Sequence, residues 1–171
     1  MTFTTTQIGL ASALLVASSI ASFDSKAIQV TRGDVSTAAG LCQPAFGASE
    51  TAIRKRPLSV QNEGTTNAFV SCAFTAPFAP TVAQLWLNSA DGLAHLVSCT
   101  GVSGYNTNDP IYVVKSTTVG PGEGQAPINF LPADFGGTTN FGSAYFSVSC
   151  SLPPGAGIND VYIAYPQEVG A

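Results

Sequence analysis

Charge is what this sequence has least of. Only 9% of its 171 residues are Asp, Glu, Lys or Arg, against roughly a quarter in an average globular protein. The one basic cluster, Arg54-Lys55-Arg56, reads as a solvated loop. A chain without a basic face has nothing to track a phosphate backbone, so nucleic acid is excluded as a partner. Histidine is scarcer still, with His95 standing alone. No C-x-x-C pair occurs either, so neither a zinc ribbon nor any other metal set is expected. No cofactor is implied. Disorder is excluded from the other direction, because 45% of the residues are hydrophobic and the net charge is only −4.

Long apolar runs are also missing, with one exception. Residues 8–21 (IGLASALLVASSIA) form an uncharged apolar stretch that suits the h-region of an export signal and falls short of the roughly 20 residues of a membrane span. Small residues allow cleavage after residue 21 or after residue 27, although no Lys or Arg precedes the run. Residues 1–27 are therefore expected to be a signal peptide. The remaining 28–171, roughly 145 residues, make one domain able to bury a real core.

Cysteine usage agrees with a secreted protein placed in the periplasm, at the cell surface or outside the cell. Cys42, Cys72, Cys99 and Cys150 are even in number and all lie beyond the signal, as expected where disulfides persist. Four cysteines allow three pairings, and spacing does not choose among them.

Past the signal no segment keeps a helical period, whereas short alternating runs bounded by Gly, Pro, Asn and Asp recur. In residues 144–152, Ala144, Phe146, Val148, Cys150 and Leu152 share one face, while Tyr145, Ser147, Ser149 and Ser151 share the other. Residues 68–74 alternate likewise and put Cys72 on the apolar side. Further strands are expected at 58–61, 82–87, 94–100, 111–115, 128–130 and 161–165, about eight in all. This pattern predicts an all-β fold, an antiparallel two-sheet β-sandwich with the jelly roll as one version.

The cysteine contexts carry a resemblance. Leu41-Cys42-Gln43-Pro44-Ala45, then Val70-Ser71-Cys72, Val97-Ser98-Cys99 and Val148-Ser149-Cys150-Ser151-Leu152-Pro153-Pro154-Gly155 resemble a group of secreted proteobacterial four-cysteine β-domain proteins of unknown function. The match spans most of residues 40–165, although Ala73-Phe74 stands where the group often has Pro. It implies fold and location, brings no activity, and favours pairing Cys42 with Cys72 and Cys99 with Cys150.

Candidate sites are few. His95 opens a strand, and no G-x-S-x-G elbow accompanies it, so a structural histidine is favoured over a catalytic base. The few acidic residues lie mostly in turns and do not single out a carboxylate pair for glycoside hydrolysis. Asn106, Asn108 and Asp109 read as a turn, since no Glu completes a calcium loop. Residues 120–124 (GPGEG) read as a flexible turn, since the Lys of a phosphate loop is missing.

Trp86 is the most informative residue. The apolar parity of its run is Ala83, Leu85 and Leu87, which puts Trp86 with Gln84 and Asn88. Three readings compete: an indole packed in the core, a contact with a protein, or a sugar platform in which Trp86, Gln84, Asn88 and Tyr105 take part.

A non-enzymatic secreted β-sandwich that works by surface recognition or as a structural element follows from these features, with a glycan or an envelope protein as partner. Its alternatives are a carbohydrate-binding or adhesin-like module, a secreted hydrolase relying on His95 or a carboxylate pair, and an assembling subunit with an exposed edge strand.

Overall fold

Eleven strands are shared between two antiparallel sheets in the computed structural model, which describes residues 27–105, 108–120 and 126–170. They are β1 (Ile28–Thr37), β2 (Cys42–Pro44), β3 (Ile53–Arg56), β4 (Ser59–Asn62), β5 (Ala68–Thr75), β6 (Val82–Ser89), β7 (His95–Tyr105), β8 (Asn108–Val119), β9 (Ala126–Phe130), β10 (Tyr145–Leu152) and β11 (Ala156–Val169). The first sheet runs β3-β4-β11-β6-β9 with β1 on the same flank of β11 as β4, and the second runs β2-β5-β10-β7-β8. The signal expected at 1–27 lies outside the described residues except for Ala27, and so do Asn106 and residues 121–124 of the glycine-rich stretch.

Alternation places the core. From the first sheet Leu85, Leu87, Ile128, Phe130, Ile158 and Val161 point inward, and from the second Val70, Val97, Phe146, Val148 and Leu152 meet them. Each such side chain, withdrawn from water, stabilises the fold by about 1.5–3 kcal/mol before chain entropy is charged against it. Phe130, Phe135, Phe141 and Phe146 form an aromatic cluster toward one end, with neighbouring centroids 4.7–6.1 Å apart. Gly101, in the middle of β7, makes room for it: a Cβ there would lie 2.6 Å from Cε1 of Phe130.

Both disulfides form between directly opposed residues. Cys42 faces Cys72 across β2 and β5, and Cys99 faces Cys150 across β7 and β10, with Cα separations of 4.1 and 4.0 Å. All four are fully buried, as the parity of Cys72 and Cys150 required. The close Cα approach is that of side chains meeting at a non-hydrogen-bonded position of an antiparallel pair.

Three strands were not anticipated. β1 shows an almost wholly exposed pattern, so it carries no alternation to read. β2 is only three residues long. β3 contains Arg54-Lys55-Arg56, which is therefore an edge strand rather than a loop, with Arg56 paired to Glu63. Asn108 and Asp109 open β8 and are strand residues instead of a turn.

At the flank where β8 meets the other sheet, Lys115 points inward opposite Cys99. Its Nζ donates to the Asn129 carbonyl at 2.8 Å and to Asp134 Oδ2 at 2.6 Å, and lies 5.7 Å from the centre of the Phe130 ring. Asp134 Oδ2 also accepts from the Leu131 amide at 2.7 Å. This ties the edge of the second sheet to the 3₁₀ turn Pro132–Phe135 that follows β9.

Candidate functional site

The residues of the expected platform fall on two different surfaces. Gln84, Trp86 and Asn88 all point outward from β6, a central strand of the first sheet, and each is half-buried. Trp86 is thus not in the core, which corrects the packed-indole reading. Across the strands it sits in a row with Thr37, Asp160 and Pro127, and the next row holds Val35, Tyr162, Gln84 and Asn129. Asn88 is partly withdrawn from use: its Oδ1 is buried without a hydrogen-bond partner, close against Gly157.

Tyr105 lies elsewhere. It ends β7 in the second sheet, just after a register shift that follows Ser103, and so is not brought together with Trp86. Its neighbour is Tyr145, the first residue of β10, whose ring centroid is 4.3 Å away at a tilt of 50°. The two rings are 49% and 56% exposed, well above the half-buried Trp86. A hydrogen bond with the Tyr145 phenol, aided by desolvation, pushes the Tyr105 phenol above the ordinary tyrosine pKa.

A depression lies on either side of this aromatic ridge. One, of about 380 Å³, is lined by Ser103, Tyr105 and Ile111, with the core residues Phe135 and Phe141 behind them. The other, of about 320 Å³, lies along Thr75, Val102, Tyr145 and Ser147. Gly104 lines both, and among the described residues neither lining includes a charged side chain. The outer face beyond is hydroxyl-rich, with Ser71, Ser149 and Thr100 in one row and Ser151, Ser98 and Ser116 in the next. Tyr145 was legible as an outward residue from its parity; Phe135 and Phe141 were not, because they come from a loop.

His95 does have an acid and a serine nearby, in an order that cannot relay a proton. Asp91 Oδ1 accepts from Ser89 Oγ at 3.0 Å and from the Leu93 amide at 2.9 Å, and pairs with His95 Nε2 at 2.7 Å. Hydrolysis by a triad needs the imidazole between hydroxyl and carboxylate, whereas here the carboxylate stands between hydroxyl and imidazole. Hydrogen bonds from His95 first, then Leu93, hold the Asp91 carboxyl at about 2, below its usual 3.8. The cluster locks the β6–β7 turn. Among the described residues no group of three or more His, Cys, Asp or Glu side chains could hold a metal ion, and no helix is long and apolar enough to cross a membrane.

No family model matches the chain, and no curated protein does. Similar solved structures include a carbohydrate-binding module in complex with β-1,4-galactotriose, 11% identical, covering 79% of this chain and 88% of that one at a TM-score of 0.43. A family 11 carbohydrate-binding module from Clostridium thermocellum, in complex with a mixed-linked tetrasaccharide, is 13% identical over 85% of this chain and 89% of that one, at a TM-score of 0.38. A family two carbohydrate esterase from Cellvibrio japonicus is 11% identical over 84% of this chain but only 36% of its own length, at a TM-score of 0.46. Identities this low carry no residue-to-residue correspondence.

Proposed function

We propose that this protein is an exported, non-catalytic carbohydrate-binding β-sandwich whose ligand lies across the Tyr105–Tyr145 ridge. The observation that carries this reading is the pair of half-exposed phenol rings set between two depressions whose described lining is uncharged. A pyranose has an apolar face that stacks on an aromatic ring and a rim of hydroxyls that exchange hydrogen bonds with phenols, serines and backbone. Each depression is of the size of a small-molecule site, which begins at about 300 Å³. The described part of the lining is neutral, which favours a neutral glycan over an anionic ligand, since an anion held there would lose its hydration without a counter-charge. The buried disulfides fit an oxidising compartment outside the cytosol.

A second reading keeps the platform at Trp86, favoured by the row it forms with Asp160 and Pro127 and by the Gln84 amide beside it. Glycan-array binding separates the two. Tyr105→Ala and Tyr145→Ala are expected to abolish binding, while Trp86→Ala retains it. Loss with Trp86→Ala alone moves the site to the first sheet, and an array without any bound glycan removes both readings.

A further inference from the structure

Among the described residues β1 pairs with β11 alone, so its other backbone edge, along Ile28–Thr37, meets no strand. An edge of that length is a template for another strand unless something blunts it. The long free edge of the second sheet is blunted: β8 carries Pro110, which offers no amide hydrogen, and the inward-pointing Lys115. β1 has no proline. It carries Arg32 and Asp34, two residues apart and so on one face, with Gly33 between them. These charges, although on the inward parity opposite Tyr165 and Ile163, are of opposite sign, so they exclude only a strand whose own charges fail to match.

Within the described residues each charge meets a neutral side chain. Arg32 Nε donates to the Gln167 side chain at 2.9 Å, and Asp34 Oδ2 accepts from the Tyr165 hydroxyl at 3.0 Å. Among the described residues the ion pairs involve neither of them. Scattered charges of one sign would repel any incoming strand. Opposite charges at i and i+2 select one.

We propose that β1 is a homodimerisation edge, pairing antiparallel with β1 of a second copy about a two-fold axis that passes through Gly33. With Gly33 opposite Gly33, Arg32 of each copy faces Asp34 of the other, Thr31 faces Val35, and Gln29 faces Thr37. Opposed opposite charges stabilise an antiparallel pair, and like charges oppose it. Sliding the register by two residues either way sets Arg32 against Arg32 or Asp34 against Asp34. Sliding it by one turns each strand's faces over. The charge pattern is therefore complementary to itself in one register only, as an isologous contact demands. Gly33 also suits the axis, because Tyr162 of the same chain covers it so closely that a Cβ would lie 2.6 Å from the phenol oxygen. The contact would join two six-stranded sheets into one and leave the outer face of the second sheet, with its Tyr105–Tyr145 ridge, free on each copy. It does not depend on the glycan reading.

Sedimentation velocity of the purified chain tests this. The wild-type chain is expected to double its apparent mass as concentration rises. Arg32→Asp alone and Asp34→Arg alone should each stay monomeric, because each sets like charges face to face. An equimolar mixture of the two variants should return to dimer, since opposite charges then meet at both positions, and the chain carrying both swaps should dimerise with itself. Recovery on mixing also shows that both single variants are folded. A monomeric wild-type chain at millimolar concentration, a dimer indifferent to either swap, or a mixture that stays monomeric would overturn the proposal.

Discussion

Asp91 Oδ1 and His95 Nε2 meet at 2.7 Å, and the same oxygen serves Ser89 and Leu93, so one carboxylate atom organises the whole β6–β7 turn. The Asp91 carboxyl should titrate near 2 in the folded chain, below its usual 3.8. A carboxyl whose folded pKa is depressed contributes its stability above the unfolded value and loses it as pH falls through the folded one. The stability difference between wild type and Asp91→Asn is therefore expected to be constant above about pH 5 and to shrink toward pH 2. Denaturant melts across that range, together with carboxyl carbon shifts from NMR, check it. A difference that is flat down to pH 2 counts against the assignment.

Asn62 is buried and fully engaged. Its Nδ2 donates to the carbonyls of Thr66 at 2.8 Å and Leu152 at 2.7 Å, and its Oδ1 accepts from the Gly64 amide at 2.9 Å. Asn62→Asp keeps the shape but removes both donors and aims carboxylate oxygens at two carbonyls. A loss of about 1–3 kcal/mol per unsatisfied group is expected from urea unfolding at neutral pH, whereas Gln61→Glu on the outer parity should change little.

Substituting Gly101 by Ala would drive a methyl group into the Phe130 ring. Overpacking of this kind costs about 1–3 kcal/mol. Phe130→Leu alone should also destabilise, and the double variant should recover part of the loss, giving a coupling energy that a double-mutant cycle reads directly.

The bridges close spans of 30 and 51 residues. Replacing Cys99 and Cys150 by Ala is expected to cost about 4 kcal/mol, and replacing Cys42 and Cys72 slightly less, because loop entropy grows only with the logarithm of length. Guanidinium unfolding of the two double variants checks both the size and the order.

What was legible in the sequence was whatever one residue's parity decides. β5 and β10 alternate cleanly because each covers a core on one face only, and their cysteines fell inside for the same reason. The pairing of Cys42 with Cys72 and Cys99 with Cys150 came with the resemblance and holds in the structure. β1 was missed because an edge strand with both faces largely wet has no apolar period to betray it. Placing Tyr105 with Trp86 failed for a different reason. Both residues are aromatic and outward, but which of two sheets a strand joins is set by long-range pairing, and no local pattern records it. Phe135 and Phe141 escaped because loops carry no period at all.

The two disulfides are rungs of the same sheet, joining β2 to β5 and β7 to β10, while the first sheet has none. The molecule thus has one leaf riveted and one merely laced. Ile28 stands opposite Val169 at the outer end of the β1–β11 pair. A pull applied at those two residues opens the lacing one rung at a time, like a zipper, without loading either rivet. The covalent bonds guard the leaf that carries the tyrosine ridge, and mechanical stress at the two ends is spent on the other.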